Sequence, residues 1–475
     1  MKCKLAIGCS FLMVFICSVT VVAAEPALRP WAKNPWYWSY HGEPVLLLGG
    51  SDDDNLFQWP EKDLLVQLDR LVAAGGNLIR NTMSSRKDLG FEVFPFKQIN
   101  GGKYDLDQWN DEYWTRFERM LRETAKRRII VQIEIWDPWD YTAADGDRWH
   151  IHPYNPRNNI NYTNQESGFA DRYAEPAYHN KQPFFFTTPG QRNNQVVLEY
   201  QRFVDKMLDF TLQYDHVLYC IDNETSVEEE WSNYWATYVK RRAEQENRKI
   251  FVTEMWGDWD ITAEHHRRTF DHPEVYDFVE VSQNNHRRGQ THWDQVLRVR
   301  DYLARHPRPI NTIKTYGAAG NRFGQDQDGI ERFWRHLLVG AAAIRFHRPE
   351  GGLGLKDKAV ASIRGARKLE SQIPLWTLEP ANDLLSDPGM PNHAYLSARR
   401  GRAFALYLPV GGRVRVDLSS ANEPLVVRWI DISTGEWGSE HHVSGGSKVS
   451  LTSPGRGNWA AAITVRNPAR ADDTH

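Results

Sequence analysis

From Pro44 to His347 the chain alternates short apolar runs rich in Val, Ile and Leu with longer stretches whose apolar residues recur every three or four positions. Runs of the first kind predict strands buried on both faces, and the second kind predicts amphipathic helices packed over them. Eight strands are expected: Pro44–Gly50, Asn77–Met83, Ile129–Asp137, Val217–Glu224, Lys249–Trp256, Phe278–Asn284, Ile310–Tyr316 and Ala341–His347. Helices are expected between them at Glu61–Ala74, Asp111–Arg127, Gln195–Tyr214, Glu228–Glu246, Trp293–His306 and Gly329–Val339. That alternation is the count of an α/β fold of the (β/α)8 TIM-barrel type. A doubly wound open sheet competes with it. Gly49-Gly50-Ser51, however, leads into Asp52-Asp53-Asp54, which would repel the phosphate that such folds cradle.

Two insertions interrupt the pattern, over residues 84–110 and 138–194. Strand-to-helix loops build the active face of a barrel, and loops this long are uncommon unless they have work there. Both are rich in aromatic residues, and the second also in Asn, a mixture that fits a sugar cleft, with part of the aromatic set serving as cover. A last helix over Val360–Ile373 leads to Pro374-Leu375-Trp376, after which the period changes to short alternating strands punctuated by Gly411-Gly412, Thr434-Gly435 and Gly445-Gly446. The expected organisation is a barrel over residues 25–380, an antiparallel β-sandwich over 381–467 packed on the barrel's side through Trp376, and a disordered tail over 468–475.

Residues 1–24 read as an address. Lys2 and Lys4 precede a mostly apolar run from Leu5 to Val22, and Val22-Ala23-Ala24 offers small residues at a cleavage position. An uncleaved anchor is the alternative, since the run nears membrane-spanning length. Cleavage predicts a secreted or periplasmic protein, a monomer with no membrane contact, whose one remaining cysteine is Cys220. Lys+Arg 58 against Asp+Glu 61 leaves a net charge of −3 with no basic run, which disfavours nucleic acid as a partner. The 19 Trp residues change the picture more, because many fall in polar stretches, where a flat indole face suits a sugar ring.

The sharpest candidate chemistry is Val217-Leu218-Tyr219-Cys220-Ile221-Asp222-Asn223-Glu224, a buried-type strand ending in polar residues at the barrel mouth. A carboxyl there can act as a general acid when its surroundings raise its pKa, and the preceding amide can bond a sugar hydroxyl. Other strand ends supply candidate binding groups: Asp53, Arg80, Asn81, Trp136, Asp137, Asn223, Trp256, Asn284, Lys314, Tyr316 and His347. Each of these is equally compatible with a satisfied polar residue of the barrel interior. Asp52-Asp53-Asp54-Asn55 lacks the spacing of a calcium loop, and His265-His266 and His441-His442 are adjacent rather than four apart, so no metal and no cofactor are expected.

The strand ending in Asn223-Glu224 resembles that of the retaining glycoside hydrolases whose acid/base Glu follows an Asn on the fourth strand of the barrel. The chain is more closely similar to the apiosidase-like secreted glycosidases, whose barrel precedes a collagen-binding-type β-sandwich. That likeness rests on Lys103-Tyr104-Asp105-Leu106-Asp107-Gln108-Trp109-Asn110, Tyr113-Trp114, Arg116-Phe117, Asn155-Pro156, Asn158-Asn159-Ile160-Asn161-Tyr162, Trp429-Ile430-Asp431 and Thr434-Gly435. The resemblance implies a secreted glycosidase acting on a polysaccharide or oligosaccharide, retaining or inverting, with Glu224 as acid/base. One departure stands out: the clan's nucleophilic Glu ends the seventh strand, where this chain reads Ile313-Lys314-Thr315-Tyr316. Glu254, at the end of the adjacent fifth strand, is the expected replacement, with Glu134, Asp137, Asp52 to Asp54 and Glu350 as rivals. Lys314 at the vacated position would pair with an anionic sugar such as a uronic acid. A non-catalytic carbohydrate-binding barrel is the alternative function.

Overall fold

The computed structural model describes residues 26–465, except 88, 142–143, 174–187, 189–193, 319, 321 and 387–391. The address segment and the tail lie outside the described residues, as does part of the second insertion. The eight barrel strands are β1 (Leu47–Gly50), β2 (Leu78–Thr82), β3 (Ile130–Trp136), β4 (Val217–Asp222), β5 (Val252–Thr253), β6 (Val279–Glu280), β7 (Ile310–Thr315) and β8 (Ala343–Phe346). A helix follows each in turn: α1 (Glu61–Ala73), α2 (Asp111–Lys126), α3 (Asn194–Thr211), α4 (Glu229–Gln245), α5 (Glu264–Phe270), α6 (Gly289–Leu303), α7 (Asp326–Val339) and α8 (Asp357–Gln372). The strands are parallel and pair in chain order, with β8 returning to β1. Between β5 and β6 the ladder gives way to a looser seam, where the Asp277 N–H donates to the Val252 carbonyl and the Thr253 hydroxyl to the Phe278 carbonyl.

The barrel interior is polar along its axis. Trp38, in an antiparallel three-stranded cap over residues 28–45, plugs the bottom and donates its indole N–H to Asn311 at 3.0 Å. Asn311 donates to Gln132 at 2.9 Å, Gln132 to Glu280 at 3.2 Å, and Glu280 takes the Ser282 N–H at 3.0 Å. The Ser282 hydroxyl then accepts the Lys314 N–H, so the chain of hydrogen bonds runs from plug to mouth. Burying these groups is tolerable because each finds a partner inside the barrel.

The insertions reach the mouth through Arg86, Trp139 and Arg148, while Phe94, Phe96 and Trp109 pack as cover. In residues 84–110, Phe96 stacks on Trp109 (5.3 Å, 22°), Trp109 packs edge-on against Trp114 of α2, and Phe94 meets Tyr104 edge-on. In the second insertion Asn155 bonds the Trp149 and Asp171 carbonyls, and Asn159 those of Pro153 and Asn155. The amides satisfy the backbone of a long loop that has little ladder of its own.

The C-terminal region is a two-layer antiparallel sandwich of a six-stranded and a three-stranded sheet. Leu396, Phe404, Leu406, Val414, Val416, Trp429 and Ile463 fill the space between the layers. Alternate residues of the same strands, among them Tyr395, Ala405, Tyr407 and Ile430, face the barrel. They meet α6, α7 and α8: Trp334 stacks on Tyr407 (5.8 Å, 24°) and Trp293 packs on Tyr395 at 5.1 Å. Docking therefore runs through Trp334 and Trp293. Trp376 turns instead to the N-terminal cap, edge-on to Trp31, with its carbonyl bonded by Asn34.

Candidate active site at the barrel mouth

At the C-terminal ends of the strands a cavity of about 260 Å³ opens to solvent. Asn223 and Glu224 enter it directly after β4, with Lys314 from β7, Tyr316 just after it, His347 after β8 and Arg80 from β2. Glu224 is not part of the strand. Its φ of 56° puts it in the left-handed region, which turns its side chain out of the strand's alternation and into the mouth. The chain after β5 closes against it, since a Cβ on Gly257 would lie 2.9 Å from the Glu224 carbonyl oxygen.

The Lys314 ammonium contacts the Glu224 carboxylate and donates to Asn223 Oδ1 at 2.9 Å. Burial raises the Glu224 carboxyl, but the Lys314 charge and hydrogen bonds from Lys314 and Gln283 outweigh it and lower it overall. Glu224 is therefore ionised in the free protein, with its side chain 23% exposed. Asp54, from the loop after β1, faces the same cavity and is gripped by Arg80 at 2.6 Å, Arg345 at 3.0 Å, and Arg86 and Arg348 at 3.5 Å. Burial opposes its ionisation, yet Arg80 and the neighbouring cations hold it well below the usual carboxylate range. Arg80 also forks onto Glu134, with Nε 2.7 Å from Oε1. Below the floor Asp137 accepts from Arg86 at 2.9 Å and from Asn223 at 3.1 Å, so it positions two lining residues without lining the cavity itself.

Six expected site residues lie elsewhere. Glu254 shares the parity of Ile221, because Thr253 pairs with Cys220, and so it points into the helix layer beside Ser232 of α4. Its Oε1 accepts the Asp222 and Met255 N–H groups, both at 2.9 Å, while Oε2 is buried without a hydrogen-bond partner among the described residues. It is no partner for Glu224 in the mouth. Trp136 packs between α3 and α4 on Phe203 and Trp235, and Trp256 bonds Thr269 and stacks against His265 over α5. Asp53 takes the Trp59 indole N–H at 2.7 Å, Asn81 the Phe57 N–H, and Asn284 donates to the His292 carbonyl. These side chains fasten loops to the barrel.

The lining also contains groups that strand-end reasoning missed: Arg86, Trp139, Arg148, Trp259, Arg322 and Arg348. All lie in the connections beyond strand ends, Trp139 and Arg148 in short helices there, where period-two alternation says nothing. The sequence signal for Trp259 is an indole among polar neighbours, Gly257-Asp258-Trp259-Asp260, and it is 52% exposed. His286 stacks on it at 4.1 Å and 9°, and burial pushes that imidazole down to about 4, so it is neutral near pH 7. Among the described residues no group of three or more His, Cys, Asp or Glu side chains is arranged to hold a metal ion.

No protein-family model matches the chain, and no curated protein sequence matches it. Its fold is nevertheless found among solved structures. A family 5 glycoside hydrolase from Bacteroides vulgatus ATCC 8482 superposes with a TM-score of 0.62 at 12% identity, over 92% of this chain and 94% of that one. A second structure, described as a glycoside hydrolase, superposes with a TM-score of 0.61 at 12% identity, over 93% and 97%. At that identity the likeness is one of fold, spanning barrel and sandwich together.

Proposed function

We propose that this protein is a glycoside hydrolase working at the barrel mouth, with Glu224 as the group that moves the proton. The observation that carries the reading is the placement of Glu224: a non-glycine residue in left-handed backbone, directly after the fourth strand, facing a cavity with aromatic walls. Left-handed backbone costs such a residue about 1–2 kcal/mol, and strain of this kind clusters at functional sites. Two solved structures of like fold that span the chain are described as glycoside hydrolases, which supports the class.

Cleavage of a glycosidic bond needs a proton on the leaving oxygen and a base or nucleophile toward the anomeric carbon. Lys314 keeps Glu224 ionised at rest, ready to accept a proton or to attack. It becomes an acid when a bound substrate draws the ammonium away and its proton affinity rises. Asp54 is the second ionised carboxylate facing the cavity, fixed by its arginines, and is our candidate for the other role. Export of the protein is proposed from the apolar run over residues 1–24.

The test is release of reducing sugar from a panel of plant, algal and microbial polysaccharides by the full chain and by Glu224→Gln. The variant should remain folded, somewhat less stable at neutral pH because the Lys314 ammonium loses its partner, and lose about 10²–10⁴-fold in rate, the usual range for general acid–base assistance. Binding without release by the unmodified protein would leave a carbohydrate-binding barrel, the reading that Lys314 on β7 favours. Release that survives Glu224→Gln would remove Glu224 from the chemistry.

A further inference from the structure

Most cations at the mouth are already neutralised. Arg80 is shared by Asp54 and Glu134, Arg86 by Asp54 and Asp137, Arg348 by Asp54 and Glu350, and Lys314 by Glu224. Arg322 is different. It lines the same cavity, it is exposed, and among the described residues no carboxylate lies within ion-pair distance of it. Its guanidinium is laid over the Trp259 ring at 5.0 Å and the Phe323 ring at 4.8 Å. Two aromatic faces hold it at the rim without consuming its charge, and a guanidinium so held keeps its donor edge for a carboxylate or sulfate oxyanion. Its nearest aromatic neighbourhood is also neutral, since His286 carries no charge near pH 7.

We propose that Arg322 is a specificity-determining residue that selects a glycan bearing an oxyanion, a uronate carboxylate or a sulfate ester, on the sugar unit at the rim of the mouth. The inference rests on reading the mouth as a carbohydrate site and goes beyond it by naming the substrate's charge. It also moves the expected anion contact from Lys314, whose charge is committed to Glu224, to Arg322, an exposed lining arginine with no carboxylate within ion-pair distance among the described residues. A neutral glycan would leave that charge uncompensated beside the bound sugar.

The experiment is calorimetric binding of thio-linked, uncleavable oligosaccharides to the full chain, which keeps Glu224 and its pair with Lys314, at low and high salt. The probes are uronate oligosaccharides, the same oligosaccharides after carboxyl reduction to neutral sugars, and sulfated and unsulfated forms of a neutral oligosaccharide. An acidic member should bind about tenfold or more tightly than its neutral twin, and should lose that advantage at high salt or on adding Arg322→Gln. The arm that shows the advantage identifies the anion. Equal binding of charged and neutral twins, or an advantage that survives Arg322→Gln, overturns this inference and leaves the carbohydrate reading standing. If no saccharide of either kind binds, the carbohydrate reading falls and takes this inference with it.

Discussion

Glu254→Gln removes a buried acid whose ionisation the native fold opposes. Burial pushes the Glu254 carboxyl up from its ordinary 4.5 to about 8, and the adjacent buried Asp222 is raised as well. Between those two values the unfolded chain has given up a proton that the folded chain keeps. The folded state therefore binds more protons, and stability falls as pH rises through this window. At roughly 1.4 kcal/mol for each tenfold change in proton activity, the ceiling on the loss from pH 4.5 to 8 is about 5 kcal/mol. Glutamine keeps Oε1 for the Asp222 and Met255 N–H groups and cannot ionise. The variant should therefore match the parent near pH 5, exceed it by a few kcal/mol near pH 8, and retain a residual slope from Asp222. Urea unfolding followed by tryptophan fluorescence at four values between pH 5 and 8.5 measures the difference. Parallel pH dependence of the two proteins would refute the argument. A loss of sugar release with unchanged stability would restore Glu254 to the chemistry.

Lys314→Met should raise the Glu224 carboxyl, because the charge that depresses it is gone, and so move the acidic limb of the kcat/KM profile to higher pH. An unmoved limb would show that Lys314 does not govern Glu224. The same variant should lose more stability at neutral than at acid pH, since a depressed carboxyl stabilises above its unfolded value and that contribution disappears as pH falls. Trp334→Ala empties a fully buried site between α7 and the sandwich and should cost about 3–5 kcal/mol, while leaving sugar release per folded molecule unchanged. A change in substrate preference at unaltered stability would make the sandwich a binding module instead of a brace.

The hydrophobic pattern was enough to determine a barrel of eight parallel strands followed by a separate antiparallel region. Strands buried on both faces leave continuous Val, Ile and Leu runs, and their count and order are local properties of the chain. It was also enough to bring Glu224, Asn223, Lys314, Tyr316, His347 and Arg80 to one end, because every strand of a parallel barrel ends on the same face. The seven residues of α5 were too few to show a helical period.

Tertiary structure decided which way the remaining side chains turn. Strand β5 holds only Val252 and Thr253, so a one-residue choice of register sends Glu254 either to the mouth or to α4, and pairing with β4 settles it for α4. Farther along the connections alternation gives no direction. Trp136, the last residue of β3 and paired with Asp222, and Trp256, bridged to Thr225, fill the space beneath the helices, while Trp259, Arg322 and Arg86 come forward on the connections. The partner of Lys314 was equally hidden from the sequence. Glu224 stands 90 positions away, and only closure of the barrel sets the two charges against each other, which is why an expected acid is an anion at rest.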